Sequence, residues 1–345
     1  MNTVLNQGRK AVALLSGGLD SLLAAKLVKD QGIEIIGLHL LSPFGCREDV
    51  QKSADTLEIS LLFKEKGAAY LDLLENPRFG YGKNMNPCID CRVFMFQLAD
   101  VIRQERGADF IVTGEVLGQR PMSQHRHAFQ LIDRQSPLEG LVVRPLSAGR
   151  LDETIPEKKG WVRREEFLKF SGRGRKDQIE LAKKLGLKNY SQPGGGCLLT
   201  DASFSGRLRD FFSAPTFKNE SEKVKQSDLL PVGRCFRYSP NTRVHLGRNH
   251  SENLVLEEKG QLAGGVYIAA IDYPGPKAVI FGEDGDEVRQ WAGRLIAYYA
   301  KPQNGPQGNF EASNVHGVYS FKIASQLLES EINTKRVGVL ENEIH

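Results

Sequence analysis

The stretch KAVALLSGGLDSLLAAKLVKDQGIEIIGLHL, residues 10–40, decides the fold. Its first six residues (10–15) form a short apolar run bounded by Ser16-Gly17-Gly18, which predicts a buried strand. Residues 20–31 predict a helix that Gly32 stops. Residues 33–40 are rich in isoleucine and predict a second strand. Strand, helix and strand within about thirty residues form one βαβ unit. Such a unit requires a parallel sheet and a right-handed crossover.

The alternation continues outward. Residues 92–106 predict a helix with Val93, Phe96, Ala99 and Ile102 on its apolar face, residues 108–113 a strand ending at Gly114, and residues 176–186 a helix closed by Gly186. The expectation for residues 1–210 is an α/β domain with an open parallel, Rossmann-like sheet flanked by helices. Within it, residues 146–175 are charged, hold Pro156 and lack a clean period, and are expected as a surface insertion. Residues 211–228 are polar and predict a linker. Residues 229–345 predict a smaller α+β domain, with strand-like runs at 266–273 and 277–281 and a helix at 285–300.

A chain of 345 residues accommodates about two domains. With 40% hydrophobic and 26% charged residues, it is excluded from the disordered class. No run approaches the ~18 apolar residues of a membrane span, and the apolar run at 11–15 is too short for a signal-peptide core. The expected location is cytoplasmic, without a membrane partner. Five cysteines, an odd number in a long chain, argue for thiol or metal chemistry over a disulfide framework. The net charge of +4 is modest, but residues 144–188 hold 13 Lys/Arg against 7 Asp/Glu. That excess is either a phosphate-neutralising patch or a solvated helical surface.

Ser16-Gly17-Gly18-Leu19-Asp20-Ser21 closes the first strand and opens the helix. Glycines there let an anion approach the backbone, and the helix N-terminus aims N–H groups at it. Neither Gly-Lys-Ser/Thr nor GxGxxG is present, so this is neither a P-loop nor a dinucleotide fingerprint. The six residues resemble the SGGxDS signature of the PP-loop ATP pyrophosphatases. That resemblance implies an adenine nucleotide alpha hydrolase-like fold, ATP with its pyrophosphate on this loop, and adenylylation of the substrate.

Three cysteines stand out. Asn86-Pro87-Cys88-Ile89-Asp90-Cys91 places two of them three apart at a helix start, and Cys197 follows three glycines, 194–196. A CxxC at a helix start suits metal binding or thiol exchange. Three thiolates are too few for a Cys₄ zinc site but would hold a 4Fe–4S cluster with one open iron. The alternative is three ordinary thiols. Cys46 and Cys235 have no sequence partner and are read as structural.

SGGLDS (16–21), NPCIDC (86–91), TGEVLGQ (113–119), RPLSA (144–148) and GGGC (194–197) together resemble the PP-loop tRNA thiolation enzymes, the 4-thiouridine synthetases and 2-thiouridylases. The resemblance spans roughly residues 8–210. It implies an adenylating tRNA sulfurtransferase that uses ATP and Mg²⁺, with tRNA as partner. ATP would lie on Ser16, Gly17, Gly18, Asp20 and Ser21, with Asp20 at the Mg²⁺. Leu38, His39 and Leu40 would border the adenine, and Gly114, Glu115 and Gln119 would close the other side. Catalysis would rest on Cys88, Cys91 and Cys197. The 2-thiouridylases read Asn-Pro-Asp where this chain has Cys88, and the resulting CxxC resembles thiolases with a 4Fe–4S cluster on three cysteines. The sulfur would arrive as sulfide on the cluster or as a persulfide from a cysteine desulfurase. No rhodanese-like domain is evident, and about nine residues precede the first strand, too few for a THUMP-type domain. A homodimer is compatible with the pattern.

Arg243-Val244-His245-Leu246-Gly247-Arg248-Asn249 resembles the VGRN segment of the NFACT-family RNA-binding domain. That assigns RNA contacts to Arg243, His245, Arg248 and Asn249, with Arg144 steering the tRNA from the first domain. Residues 207–345 carry 17 basic and 17 acidic side chains, so no overall basic field supports them. His125 and His127 read as loop histidines facing solvent in preference to metal ligands. Two other classes stay open: a PP-loop ligase or amidotransferase forming a C–N bond on a small molecule, and a non-catalytic nucleotide- and RNA-binding protein.

Overall fold

Strand β1 (Lys10–Leu14) sends Ala11 and Ala13 to one face and Val12 and Leu14 to the other, and both faces are covered. A strand buried on both sides belongs inside a parallel sheet. The computed structural model describes residues 8–44, 50–187, 190, 197–301 and 306–338. The chain divides into two compact units, Met1–Gly82 with Asn86–Gly196, and Lys83–Met85 with Cys197–His345. Cys46 and the glycines at 194–196 lie outside the described residues.

In the first unit, β1 joins β2 (Glu34–Leu41), β3 (Ser60–Glu65), β4 (Phe110–Thr113) and β5 (Val142–Val143). Among the described residues the order is β3-β2-β1-β4-β5 and every pairing is parallel. Leu14 pairs with Leu38 on one side and Thr113 on the other, so β1 and β4 end together. The order reverses between them, and in open α/β sheets that is where ligands bind, outside the carboxyl ends.

The unit's helices are α1 (Leu19–Lys29), α2 (Val50–Leu57), α3 (Gly67–Glu75), α4 (Cys88–Glu105), α5 (Arg126–Gln135), α6 (Ile155–Lys158) and α7 (Lys176–Lys184). α1 packs on one face of the sheet through Leu22, Leu23 and Ala25. α4 and α5 pack on the other through Phe96, Ala99, Ile102, Ala128 and Ile132. α4 feeds β4 through a short turn, so its first turn lies at the carboxyl edge of the sheet.

The stretch 146–175 is not a surface insertion. Ala148, Val162 and Phe167 are buried in the same core as α1. Gln31 and the backbone of Arg163 exchange two hydrogen bonds, at 2.6 and 3.1 Å. The segment lacks a period because irregular backbone, not a helix, carries its apolar side chains inward.

The second unit contains α8 (Ala202–Ser213), α9 (Glu220–Ser227), β6 (Arg234–Ser239), β7 (Thr242–Leu246), α10 (His250–Leu262), β8 (Val266–Ala270), β9 (Ala278–Gly282), α11 (Asp286–Ala300), β10 (Gly308–Asn314), β11 (Gly317–Ile323), α12 (Glu329–Asn333) and β12 (Arg336–Val337). Among the described residues the strands form one sheet in the order β11-β10-β8-β9-β7-β6-β12, and every pairing is antiparallel. Trp291, Leu295 and Ile296 of α11 cover one face. Leu229, Leu256 and Ala263 cover the other. The expected linker 211–228 instead holds the end of α8 and all of α9. Gln226 is buried there because its side chain bonds Thr216 and the Ala263 carbonyl.

Candidate active site

The loop after β1 is shaped by its own hydroxyls. Ser21 Oγ donates to the Gly18 carbonyl (2.8 Å) and accepts from the Ser16 N–H (3.2 Å), and the two serine hydroxyls lie 3.2 Å apart. Gly17 has φ +80°, a conformation glycine adopts without strain. Gly18 occupies the N-cap position of α1 and brings no side-chain cap. The first N–H groups of that helix therefore keep their partial positive charge for an incoming anion.

Gly114 ends β4 against this loop. A Cβ there would collide with the Asp20 carbonyl and stand 2.5 Å from the Ser21 nitrogen. Only glycine permits that approach. Asp20 Oδ2 accepts from Gln119 Nε2 (3.0 Å) and lies 3.4 Å from Arg175 Nη2, whereas Asp20 Oδ1 is buried without a hydrogen-bond partner. An orphaned carboxylate oxygen beside an anion site fits Mg²⁺, which binds through one or two carboxylates plus substrate phosphates. His39 Nδ1 donates to the Leu15 carbonyl (2.8 Å), while the side chains of Leu38 and Leu40 are buried in the sheet's other face.

Glu115, 2% exposed, anchors the crevice wall. It accepts from Arg144 Nε (3.0 Å) and lies 3.4 Å from Arg92 Nε. Arg144 also donates twice to Asp133, at 2.9 and 2.8 Å, with its guanidinium 4.2 Å over the Phe129 ring. Burial works against its charge, but Asp133 and Glu115 more than offset it and hold the guanidinium above its ordinary value. Burial raises the Asp133 carboxyl, and Arg144 opposes that. Arg144 is 5% exposed and its donors are engaged, so it does not face tRNA as expected. It braces Glu115.

The CxxC occupies the first turn of α4. Asn86 Nδ2 donates to Cys88 Sγ (2.9 Å). Burial pushes the Cys88 thiol up, against the lowering effect of that hydrogen bond. Cys91 Sγ accepts from Lys66 Nζ at 3.9 Å and shares a hydrogen bond with the Tyr70 hydroxyl at 3.6 Å. Lys66 is itself only 9% exposed, with its ammonium 4.2 Å from the Tyr70 ring centroid. Asp90 pins the preceding loop by accepting from the Arg78 and Phe79 N–H groups. Cys197 belongs to the second unit, where it is exposed ahead of the turn 198–200. Among the described residues no group of three or more His, Cys, Asp and Glu is placed to hold a metal ion. His125 is exposed and caps α5, its Nδ1 accepting from the Ala128 N–H at 3.2 Å.

In the second unit Arg243 and His245 depart from their expected roles. Both are wholly buried on β7, because that strand is covered on both faces. Arg243 donates to Gln226 Oε1 (3.0 Å) and lies between the Phe211 and Phe281 rings. Burial pushes its guanidinium down to about 10. Burial, followed by Arg243, holds His245 well below the usual histidine value and therefore neutral. Neither reaches a phosphate. Cys235 is buried 3.8 Å from His245 Nε2, and burial raises its thiol to about 11, as suits a structural cysteine. Arg248 is exposed and paired with Glu252, and Asn249 caps α10 by accepting from the Glu252 N–H.

Residues 6–156 match the family model described as thiamine biosynthesis protein (ThiI). Residues 6–156 thus resemble a ThiI-type domain. Residues 233–335 match the NFACT protein RNA binding domain. A probable tRNA sulfurtransferase of Methanothermobacter thermautotrophicus is 37% identical over 117 residues, 32% of this chain and 30% of that protein. A tRNA-specific 2-thiouridylase, MnmA of Bartonella quintana, is 28% identical over 36% of this chain and 35% of its own. A solved 4-thiouridine synthetase–RNA complex with bound ATP aligns at 28% identity and a TM-score of 0.38, covering 52% of this chain and 41% of that one. The chain spans about a third of the length of both curated relatives. Among the described residues no helix is long and apolar enough to cross a membrane.

Three side chains of the first unit escaped the sequence reading. Lys66 and Tyr70 come from the junction of β3 and α3, which no motif marks. Arg175 reaches Asp20 from a stretch that has no period.

Proposed function

We propose that the chain is an ATP-dependent tRNA sulfurtransferase acting on uridine. The observation that carries this reading is the Arg92–Glu115 contact, which ties the CxxC turn to the wall of the crevice where the SGGLDS loop receives an anion. Activating a carbonyl and delivering sulfur to it require these two devices side by side.

ATP lies at the switch point with its phosphates on Ser16, Gly17, Gly18 and Ser21. Mg²⁺ beside Asp20 would neutralise charge on the departing pyrophosphate. A uridine carbonyl oxygen attacks the α-phosphorus, pyrophosphate leaves, and the base is adenylated. Cys91 carries the sulfur as a persulfide, supplied by a cysteine desulfurase. Its terminal sulfur displaces AMP, leaving base and enzyme joined through a disulfide. Cys88 gives up its proton and attacks the Cys91 sulfur, releasing the thiolated base and a Cys88–Cys91 disulfide. A cellular dithiol then reduces that disulfide. A cluster held by Cys88, Cys91 and Cys197 is the other carrier this pattern allows, and iron content after anaerobic purification decides between them. The C-terminal module binds the RNA.

The test is the thionucleoside content of total tRNA from a deletion strain. One thionucleoside should vanish, return with the wild-type gene, and stay absent with Cys91→Ser or Cys88→Ser. An unchanged thionucleoside profile in the deletion strain rejects the reading.

A further inference from the structure

The second unit holds a cavity of about 350 Å³ whose walls include Arg234, Arg248, Asn249, His250, Asn253 and Tyr299. Its frame is braced from several sides. The Gly247 N–H donates to the Lys277 carbonyl (3.0 Å), and the Lys277 N–H donates to Asn253 Oδ1 (3.0 Å). Those bonds lock the segment entering α10 to the segment entering β9. A Cβ on Gly247 would collide with Asn253 Oδ1, so only glycine closes this corner. The Arg234 guanidinium lies 4.3 Å from the Tyr299 ring centroid. The first turn of α10 opens on the same space.

The charge there lacks a counterweight. Arg237, Arg289 and Arg294 each pair with a carboxylate, Asp210, Asp284 and Glu331 respectively. Among the described residues Arg207, Arg234 and Arg336 have no such ion pair. Burial lowers the Arg234 guanidinium, with Arg336 and Arg248 adding to the effect by repulsion. Burial lowers Arg207 as well, with the same two arginines contributing. The Glu252 carboxylate acts on both of them, and Arg248 already engages it. A half-buried cation without a partner carries a desolvation cost that an anionic occupant offsets. The even charge balance of residues 207–345 conceals this local excess.

We propose that this cavity receives a phosphate group of an RNA strand, gripped by Arg234 and Arg248 at the start of α10. The inference rests on the reading of tRNA as substrate. Guanidinium forks match phosphate oxygens, and the start of a helix favours an anion. RNA is favoured over a free anion because Asn249 and His250, exposed in the same walls, offer polar groups to the ribose or base that follows the phosphate. The binding residues are thus Arg234 and Arg248, in place of Arg243 and His245.

The test is fluorescence anisotropy of labelled bulk tRNA with the full chain, across a salt series. Arg234→Gln with Arg248→Gln should weaken binding at least about tenfold and reduce the slope of log K against log salt by roughly 1–2. Arg209→Gln, at an exposed arginine on α8, should change neither. Arg248→Gln alone guards against misfolding, since its melting temperature should match wild type while the slope falls by about one. A double variant with wild-type affinity and slope overturns the proposal and leaves the thiolation reading standing. A wild-type chain that binds no tRNA overturns both. Inorganic phosphate titrated calorimetrically separates the two sources of the anion. Saturable binding that Arg234→Gln abolishes, with tRNA affinity unchanged, assigns the cavity to free phosphate and overturns the RNA assignment.

Discussion

Arg92 Nε stands 3.4 Å from Glu115 Oε1, joining the turn that holds Cys91 to the residue after Gly114. Glu115 in turn compensates buried Arg144, which grips Asp133. Removing one member strands the others in a low dielectric. Glu115→Ala should therefore destabilise the first unit by about 3 kcal/mol or more, read from the urea midpoint. Arg92 is more exposed, and Arg92→Ala should cost less than about 1 kcal/mol of stability. It should still slow sulfur transfer roughly 10–100-fold through misplacement, with ATP–pyrophosphate exchange retained. Equal loss of both activities would show that the contact positions nothing.

Gly114→Ala tests the crevice itself. The added methyl group meets backbone atoms of Asp20 and Ser21, which cannot swing aside as a flexible side chain would. The loop after β4 or the start of α1 must shift. Overpacking of this kind costs about 1–3 kcal/mol. Nucleotide affinity should fall at least about tenfold, because the N–H groups of α1 lose their aim. Calorimetric titration with a non-hydrolysable ATP analogue measures it. An unchanged affinity would move the nucleotide elsewhere.

The sequence shows the crevice more clearly than its walls. The βαβ unit at 10–40 and the helix over 92–106 are legible because their apolar periods are clean. Ser16 to Ser21 and the CxxC are legible because local spacing carries them. Arg144 and Arg243 misled because exposure is a property of packing. An arginine after an edge strand looks like a surface group until Glu115 and Asp133 close on it, and Arg243 sits in a strand covered from both sides. Lys66 meets Cys91 across 25 positions, and Arg175 meets Asp20 across 155, separations that leave no local signature. The segment 146–175 defeated the period test because Val162 and Phe167 reach the core from irregular backbone.

Asp20→Asn keeps the shape of the side chain and its contact with Gln119, but removes the charge beside the orphaned Oδ1. ATP–pyrophosphate exchange should fall at least about 100-fold, on the scale of losing a key electrostatic stabiliser. The Mg²⁺ concentration for half-maximal exchange should rise. Melting temperature should hold or increase slightly, since an unsatisfied buried carboxylate is removed. Wild-type Mg²⁺ dependence in this variant would place the cation on other residues.

Lys66→Met preserves most of the packing of the stem against Tyr70 and deletes a donor to Cys91 Sγ. Sulfur transfer should drop about tenfold or more, with nucleotide exchange unaffected. Lys66→Arg should recover part of the loss, because it restores a cation near the sulfur. Mass spectrometry of thionucleosides formed in a single turnover gives both numbers. A wild-type rate for Lys66→Met would reduce the lysine to a packing residue.

The Cys88 thiol should respond to pH differently in the folded and the unfolded chain. Burial raises the Cys88 thiol, so the native state holds its proton where an unfolded chain has begun to release it. Alkylation by iodoacetamide at neutral pH should be several-fold slower at Cys88 in the folded chain than in the denatured chain, since the thiolate is the nucleophile. The rate should climb in the alkaline range, above the ordinary thiol titration. Asn86 works against burial by donating to the sulfur, so Asn86→Ala should shift the climb further toward high pH. Peptide mass spectrometry resolves the two sites within one digest. A Cys88 profile that coincides with the denatured chain would mean that water reaches the sulfur, and the resolving thiol would then need no shelter to keep its proton until the persulfide arrives.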